Sequence, residues 1–172
     1  MNKVLFKETQ QFRQWWLILL ILAATVPSMI FSISGFWKQF VQHIPVGNEP
    51  APDFMYVVSF VIMALVLWGF FVMKLELWID SIGIHYRFFP LILRNKLISK
   101  AEIQRYEIRK YSPIKDYGGW GLRRGFGRKW GRGFVIDGNM GLQLYLTNGK
   151  KVLFGTQRSQ AILSAMDEMM KK

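Results

Sequence analysis

Residues 54–73 read FMYVVSFVIMALVLWGFFVM, twenty positions without a charge. At about 1.5 Å of rise per residue such a helix is about 30 Å long, the thickness of a bilayer's hydrocarbon core. The core helix of a small soluble protein carries a polar face, and this stretch has none. A second uncharged stretch, residues 14–37, precedes it, with Trp15 and Trp16 at one end and Trp37 at the other, where the headgroup layer favours tryptophan. Pro27 interrupts its middle, so a bent span is expected. The pair reads as a membrane α-helical hairpin with spans at about 15–37 and 54–73. The alternative for the first stretch is a cleaved signal peptide, with Ser32-Ile33-Ser34 as the small-residue site. Its apolar run is longer than the roughly 7 to 15 residues of a signal core.

Orientation follows from the flanks. Lys3, Lys7 and Arg13 precede the first span and Lys74 follows the second, whereas residues 38–53 hold one lysine and two acids. Basic flanks mark the cytoplasmic side, so both termini and everything after Met73 are expected there. The stretch containing Pro45, Gly47, Pro50 and Pro52 then forms a short external loop. The spans hold no ionisable residue, only hydroxyls such as Thr25, Ser28, Ser32 and Ser59, which is poor material for a transport path. They read as an anchor, with Ala64 and Gly69 offering close helix contact and a surface for homo-oligomers.

After Lys74 the pattern changes to short alternating segments, the mark of strands in a mainly-β domain over residues 74–172. Leu75, Leu77 and Ile79 alternate with Glu76, Trp78 and Asp80; residues 80–83 make a turn, and residues 84–89 complete a hairpin. Further strands are expected at 96–98, 103–110, 134–136, 142–146 and 151–154, with Asn148-Gly149 as a tight turn. Residues 157–170 place Ile162, Leu163, Met166, Met169 and Met170 at helical spacing, with Thr156 or Ser159 as N-cap. Seven antiparallel strands and one C-terminal helix fit a curved sheet or barrel capped by that helix.

The strand order, the turn at 80–83, the ISKAEI segment at 98–103 and the terminal helix resemble the bacterial pleckstrin-homology-like fold. YSPIKDYGGWG at 111–121, with GKK at 149–151 and GTQ at 155–157, is similar to a bacterial family of small two-helix membrane proteins with such a PH-like domain at the C-terminus. The resemblance implies an architecture and a place in the bacterial inner (plasma) membrane. It brings no activity, ligand, cofactor or catalytic residue.

Residues 118–133 contain seven glycines, five basic residues and no acid. The candidate binding residues are Trp120, Arg123, Arg124, Arg128, Lys129, Trp130 and Arg132. Arginines engage phosphates bidentately, tryptophans enter the headgroup layer or stack on bases, and glycines let the backbone approach a ligand. Three readings stand: a solvated strand connection, a contact with anionic lipid headgroups, and single-stranded nucleic acid, which membrane tethering disfavours. From Lys74 onward the 19 basic and 8 acidic residues give a net charge of +11, part of it the ordinary bias of cytoplasmic segments.

Catalytic signals are sparse. Neither His43 nor His85 has metal-ligand spacing around it, and the chain has no cysteine, so no metal or cofactor is expected. Asp116 before Gly118-Gly119 reads as a turn or cap residue. Gly125-Phe126-Gly127 lacks the third glycine of a nucleotide fingerprint. The expected function is a non-enzymatic membrane-anchored module that binds anionic lipids or another membrane protein. The alternative is an accessory subunit or enzyme on a membrane substrate, with a loop closing near Asp116 and Tyr117.

Overall fold

The computed structural model describes residues 3–125 and 131–171. Two compact units emerge: residues 12–72, and the residues up to Gln11 together with those from Met73 onward.

The first unit is a helix pair, α1 (Trp15–Phe36), continued by one π-helical segment (Trp37–Val41), and α2 (Asp53–Val72). Trp15–Val41 and Asp53–Val72 are long and apolar enough to cross a membrane. Only 11% and 6% of their most apolar windows are buried, which sets them apart from core helices of a soluble fold. Their contact is built on small residues of α1. Thr25, Ser32 and Gly35 are buried there, and a Cβ at Gly35 would overlap the ring of Tyr56 on α2. The hydroxyls of Thr25 and Ser32 donate to the carbonyls of Ile21 and Ser28 at 2.7 and 2.9 Å, so neither hydroxyl is left unpaired in an apolar setting. Among the described residues nothing lies within 4 Å of where a Cβ at Gly69 would be, so the α1–α2 contact does not use that glycine. Gln39 closes the loop end, donating to the Ala51 carbonyl at 2.6 Å and to Asp53 at 2.7 Å.

The second unit holds nine strands among the described residues, two more than the sequence pattern indicates. They are β1 (Phe6–Gln11), β2 (Lys74–Ile79), β3 (Gly83–Phe89), β4 (Ile92–Ser99), β5 (Ile103–Lys110), β6 (Gly121–Arg124), β7 (Arg132–Val135), β8 (Met140–Leu146) and β9 (Lys151–Gly155). Strands β1-β2-β3-β4 form one antiparallel sheet; the other runs β5-β8-β9-β7-β6. Within the second sheet β7 and β9 are parallel, a departure from the all-antiparallel expectation. The sheets meet through aromatic rings: Tyr86 and Phe88 of β3 pack on Phe134 of β7 at centroid distances of 4.9 and 6.0 Å, and Phe134 stacks on Phe154 of β9 at 5.0 Å. Helix α4 (Ser159–Lys171) lies against β8, β5, β1 and β2 with Ile162, Ala165, Met166 and Met169 buried, while Leu163 faces out.

The two extra strands have distinct causes. β6 lies inside the glycine-rich stretch for which a solvated strand connection is one of the three readings, paired with β7 from Gly121↔Val135 to Arg124↔Arg132. β1 lies in the residues read only as a basic leader, and its inward positions Phe6, Glu8 and Gln10 are two-thirds polar. Those polar groups are satisfied from far along the chain. Glu8 accepts hydrogen bonds from the Thr156 hydroxyl at 2.6 Å, the Gln157 backbone N–H at 3.0 Å and Gln10 at 3.0 Å. Gln10 also donates to the Gly155 carbonyl at 2.7 Å. The carboxylate thus sits just before the N-terminus of α4, where unpaired N–H groups favour negative charge. Thr156 reaches back to the Arg158 N–H at 3.0 Å, completing the entry to the helix.

A candidate anion-binding groove

The site begins with the β6–β7 hairpin. Gly125 N–H donates to the Gly131 carbonyl at 2.7 Å and closes the ladder at its open end. Gly131 has φ +73°, and a Cβ there would overlap the Lys151 carbonyl, so glycine is what lets β7 approach β9. That approach sets Arg132 opposite Val152, next to Lys151. The antiparallel ladder sets Arg124 directly across from Arg132. Residues directly opposite in a ladder share a face, and like charges there are destabilising.

From the other side, the β8–β9 turn brings Lys150 and Lys151. Leu146 and Lys150 bond through their backbones at 2.9 Å, the Asn148 side chain accepts from the Lys150 N–H at 3.0 Å, and Gly149 takes φ +76°, so the expected Asn-Gly turn is present. The facing sheet adds Lys96 of β4, opposite Tyr86. Together these elements line a groove of ≈ 1230 Å³. Lys96, Arg123, Arg124, Arg132, Lys150 and Lys151 are among its lining residues, and Tyr86, Ile92, Ile98, Leu122, Leu146 and Val152 form its apolar part; the Arg123 guanidinium is engaged at the Trp120 carbonyl, and the Lys151 ammonium lies 5.5 Å from the centroid of the Tyr145 ring. Among the described residues no carboxylate lines it, and none pairs with the side chains of Lys96, Arg124, Arg132 or Lys150. Burial pushes the Tyr86 phenol above its ordinary range, and the nearby Arg132 guanidinium partly opposes the shift. Chemically the groove offers several cations over an apolar base, and among the described residues its lining holds no carboxylate, histidine or cysteine.

Three of the seven sequence candidates meet here: Arg123, Arg124 and Arg132. The Arg123 guanidinium is oriented by donating from Nε to the Trp120 carbonyl at 2.9 Å. Trp120 itself is not at the groove; it packs on a buried cluster of Tyr111, Tyr117, Val135 and Leu153. Arg128, Lys129 and Trp130 lie outside the described residues. Lys96, Lys150 and Lys151 are groove residues that sequence reasoning did not single out. Lys150-Lys151 immediately after Asn-Gly was the available signal, because a tight turn holds two adjacent lysines at a sheet end.

The other polar constellations are structural. Ser112 N-caps the one-turn helix α3 (Pro113–Tyr117), Asp116 accepts from the Ser112 N–H at 2.9 Å, and Gly118 ends the turn at φ 68°. Asp116 is therefore a cap, as its sequence context indicates. Tyr117 is buried with its ring against Gly133, where a Cβ would come within 2.5 Å, so neither residue borders the groove. Asp80 accepts from the Ile82 and Gly83 N–H groups at 2.9 and 3.2 Å and holds His85, which stacks on Trp78 at 5.0 Å. This clasp fixes the β2–β3 turn. Among the described residues no three His, Cys, Asp or Glu side chains gather as a metal site. No family model, no curated protein and no solved structure matches this chain.

Proposed function

We propose that the chain is a non-enzymatic, membrane-anchored binding module. Helices α1 and α2 cross the inner membrane of a bacterial cell, both termini are cytoplasmic, and the groove of the β unit takes the phosphate-bearing headgroups of anionic lipids. The observation that carries the ligand is the cross-strand pair Arg124–Arg132. A ladder that sets two arginines face to face gives up stability, and a bridging phosphate repays it through bidentate hydrogen bonds. The cations around the pair and the apolar part of the lining fit an amphiphile better than a free ion.

Two observations support the anchoring. The helices are long, apolar and almost unburied. The register pairs Gln11 with Lys74, so the chain leaves the sheet for α1 and returns from α2 at adjacent positions, as an even number of crossings requires. The basic residues Lys3, Lys7, Arg13 and Lys74 at those positions favour the cytoplasmic side. A PH-like architecture belongs to the same reading, supported by a four-stranded antiparallel sheet facing a second sheet with a closing C-terminal helix.

The test is native mass spectrometry of the full chain released from membranes in mild detergent. The wild type is expected to retain anionic lipid in preference to zwitterionic lipid, and Arg132→Leu to lose that preference. The same variant, free of ligand, is expected to be more stable than wild type by about 0.2–1 kcal/mol, because a like-charge pair is relieved. Equal retention of both lipid classes by the wild type would sink the proposal.

A further inference from the structure

The β3–β4 connection carries a sequence that a solvated turn has no use for. Residues 88–93 read FFPLIL, an uncharged run between Arg87 and Arg94. Phe88 is spent on the core, but Leu91 and Leu93 are 60% and 64% exposed. The strand after it is irregular. Phe88 pairs with Ile92 and Tyr86 with Lys96, so residues 93–95 bulge opposite Arg87, and the tip is held clear of regular pairing. Two large exposed leucines beside an exposed arginine form the pattern of a segment that sits at a lipid–water boundary.

The register supplies the occupant. Gln11 pairs with Lys74, and Lys74 pairs with Phe89. The strand end that bears the leucine tip is therefore the end at which the chain departs for α1 and returns from α2. The opposite end of the same sheet holds the β2–β3 turn at residues 80–83, five residues along β2 and thus roughly 17 Å away. We infer that the Phe89–Leu93 tip inserts Leu91 and Leu93 into the headgroup–acyl boundary of the bilayer, as a third contact with the membrane beside the two helices. This rests on the reading that α1 and α2 span the bilayer. Insertion would restrict rotation of the β unit about its two covalent connections and set the orientation of its groove.

The chain has no cysteine, so single-cysteine labelling needs no background removal. Leu91→Cys, Leu93→Cys, Ile82→Cys and Val58→Cys of the full chain are labelled with an environment-sensitive fluorophore. Each is reconstituted into vesicles of phosphatidylethanolamine and phosphatidylglycerol. All four positions are exposed on the protein, so the substitutions leave the core untouched. The expected result is blue-shifted emission at Leu91 and Leu93, several-fold less quenching by aqueous iodide than at Ile82, and strong quenching by lipid-borne nitroxide. Val58, in α2, reports the span itself. Lipid quenching at Val58 with water-like emission at both leucine positions would overturn the tip contact while leaving the anchor standing. Protection from iodide without lipid quenching at the leucines would overturn it in favour of a protein contact. A water-like signal at Val58 would remove the anchoring reading and this inference with it.

Discussion

Glycine does two different jobs in the groove's walls, and they separate at the level of single residues. Gly131 and Gly149 both have positive φ, +73° and +76°, so alanine at either adopts a left-handed conformation costing about 1–2 kcal/mol. At Gly149 nothing lies within 4 Å of a new Cβ; at Gly131 the Cβ would overlap the Lys151 backbone. Gly149→Ala is expected to cost about 1 kcal/mol and Gly131→Ala at least about 2 kcal/mol, since overpacking adds to backbone strain. Urea unfolding of the two variants side by side checks this, and equal losses would show that β7 yields to the new methyl group. Glu8 illustrates what sequence reading misses at this scale. A carboxylate in a polar hexapeptide reads as solvated, yet it is buried, because its three donors include groups at Thr156 and Gln157 that no local pattern announces.

Whole elements were legible in proportion to how local their causes are. The two apolar helices, the strand pair at residues 74–89, the Asn-Gly turn and the amphipathic α4 each carry periodicity or turn chemistry within a short window. β1 and β6 do not: one has polar inward positions, and the other is short and begins with glycine. The arginines of the groove were visible as a cluster in sequence, whereas Lys150-Lys151 joined them only through strand pairing within one sheet and Lys96 through the packing of the other sheet against it. The join between β5 and α4 is also long-range. The Tyr106 hydroxyl donates to Asp167 at 2.6 Å, and this bond, with a smaller contribution from burial, raises the phenol from 10.0 to about 12. A phenol with a higher pKa in the folded state favours the protonated fold. Its contribution is therefore fully present below pH 10 and fades as pH rises through about 12. The stability difference between wild type and Tyr106→Phe is expected to shrink over that interval when unfolding is followed at stepped pH. A difference that stays constant would mean that the hydrogen bond does not hold the phenol.

At the scale of the molecule, the helix pair is an insertion between two neighbouring strands, since β1 and β2 pair along their whole length on either side of it. Residues 12–73 should be replaceable by a two-residue Asn-Gly turn linking Gln11 to Lys74. The expected product is a soluble β unit with one cooperative unfolding transition. A chain starting at Lys74 is expected to be markedly less stable, because Leu75, Leu77 and Ile79 lose a paired neighbour and α4 loses the Glu8 contacts. Circular dichroism during denaturation compares the two, and indistinguishable midpoints would remove β1 from the fold's essential parts. The same pairing has a consequence during synthesis. β1 leaves the ribosome before β2 and waits for its paired strand until Lys74 emerges, after both helices have been made. Were only one helix to cross, Gln11 and Lys74 would end on opposite faces of the membrane and the sheet would never close. With both helices spanning the bilayer, as proposed, closure of the sheet would mark an insertion that left both strand ends on one face.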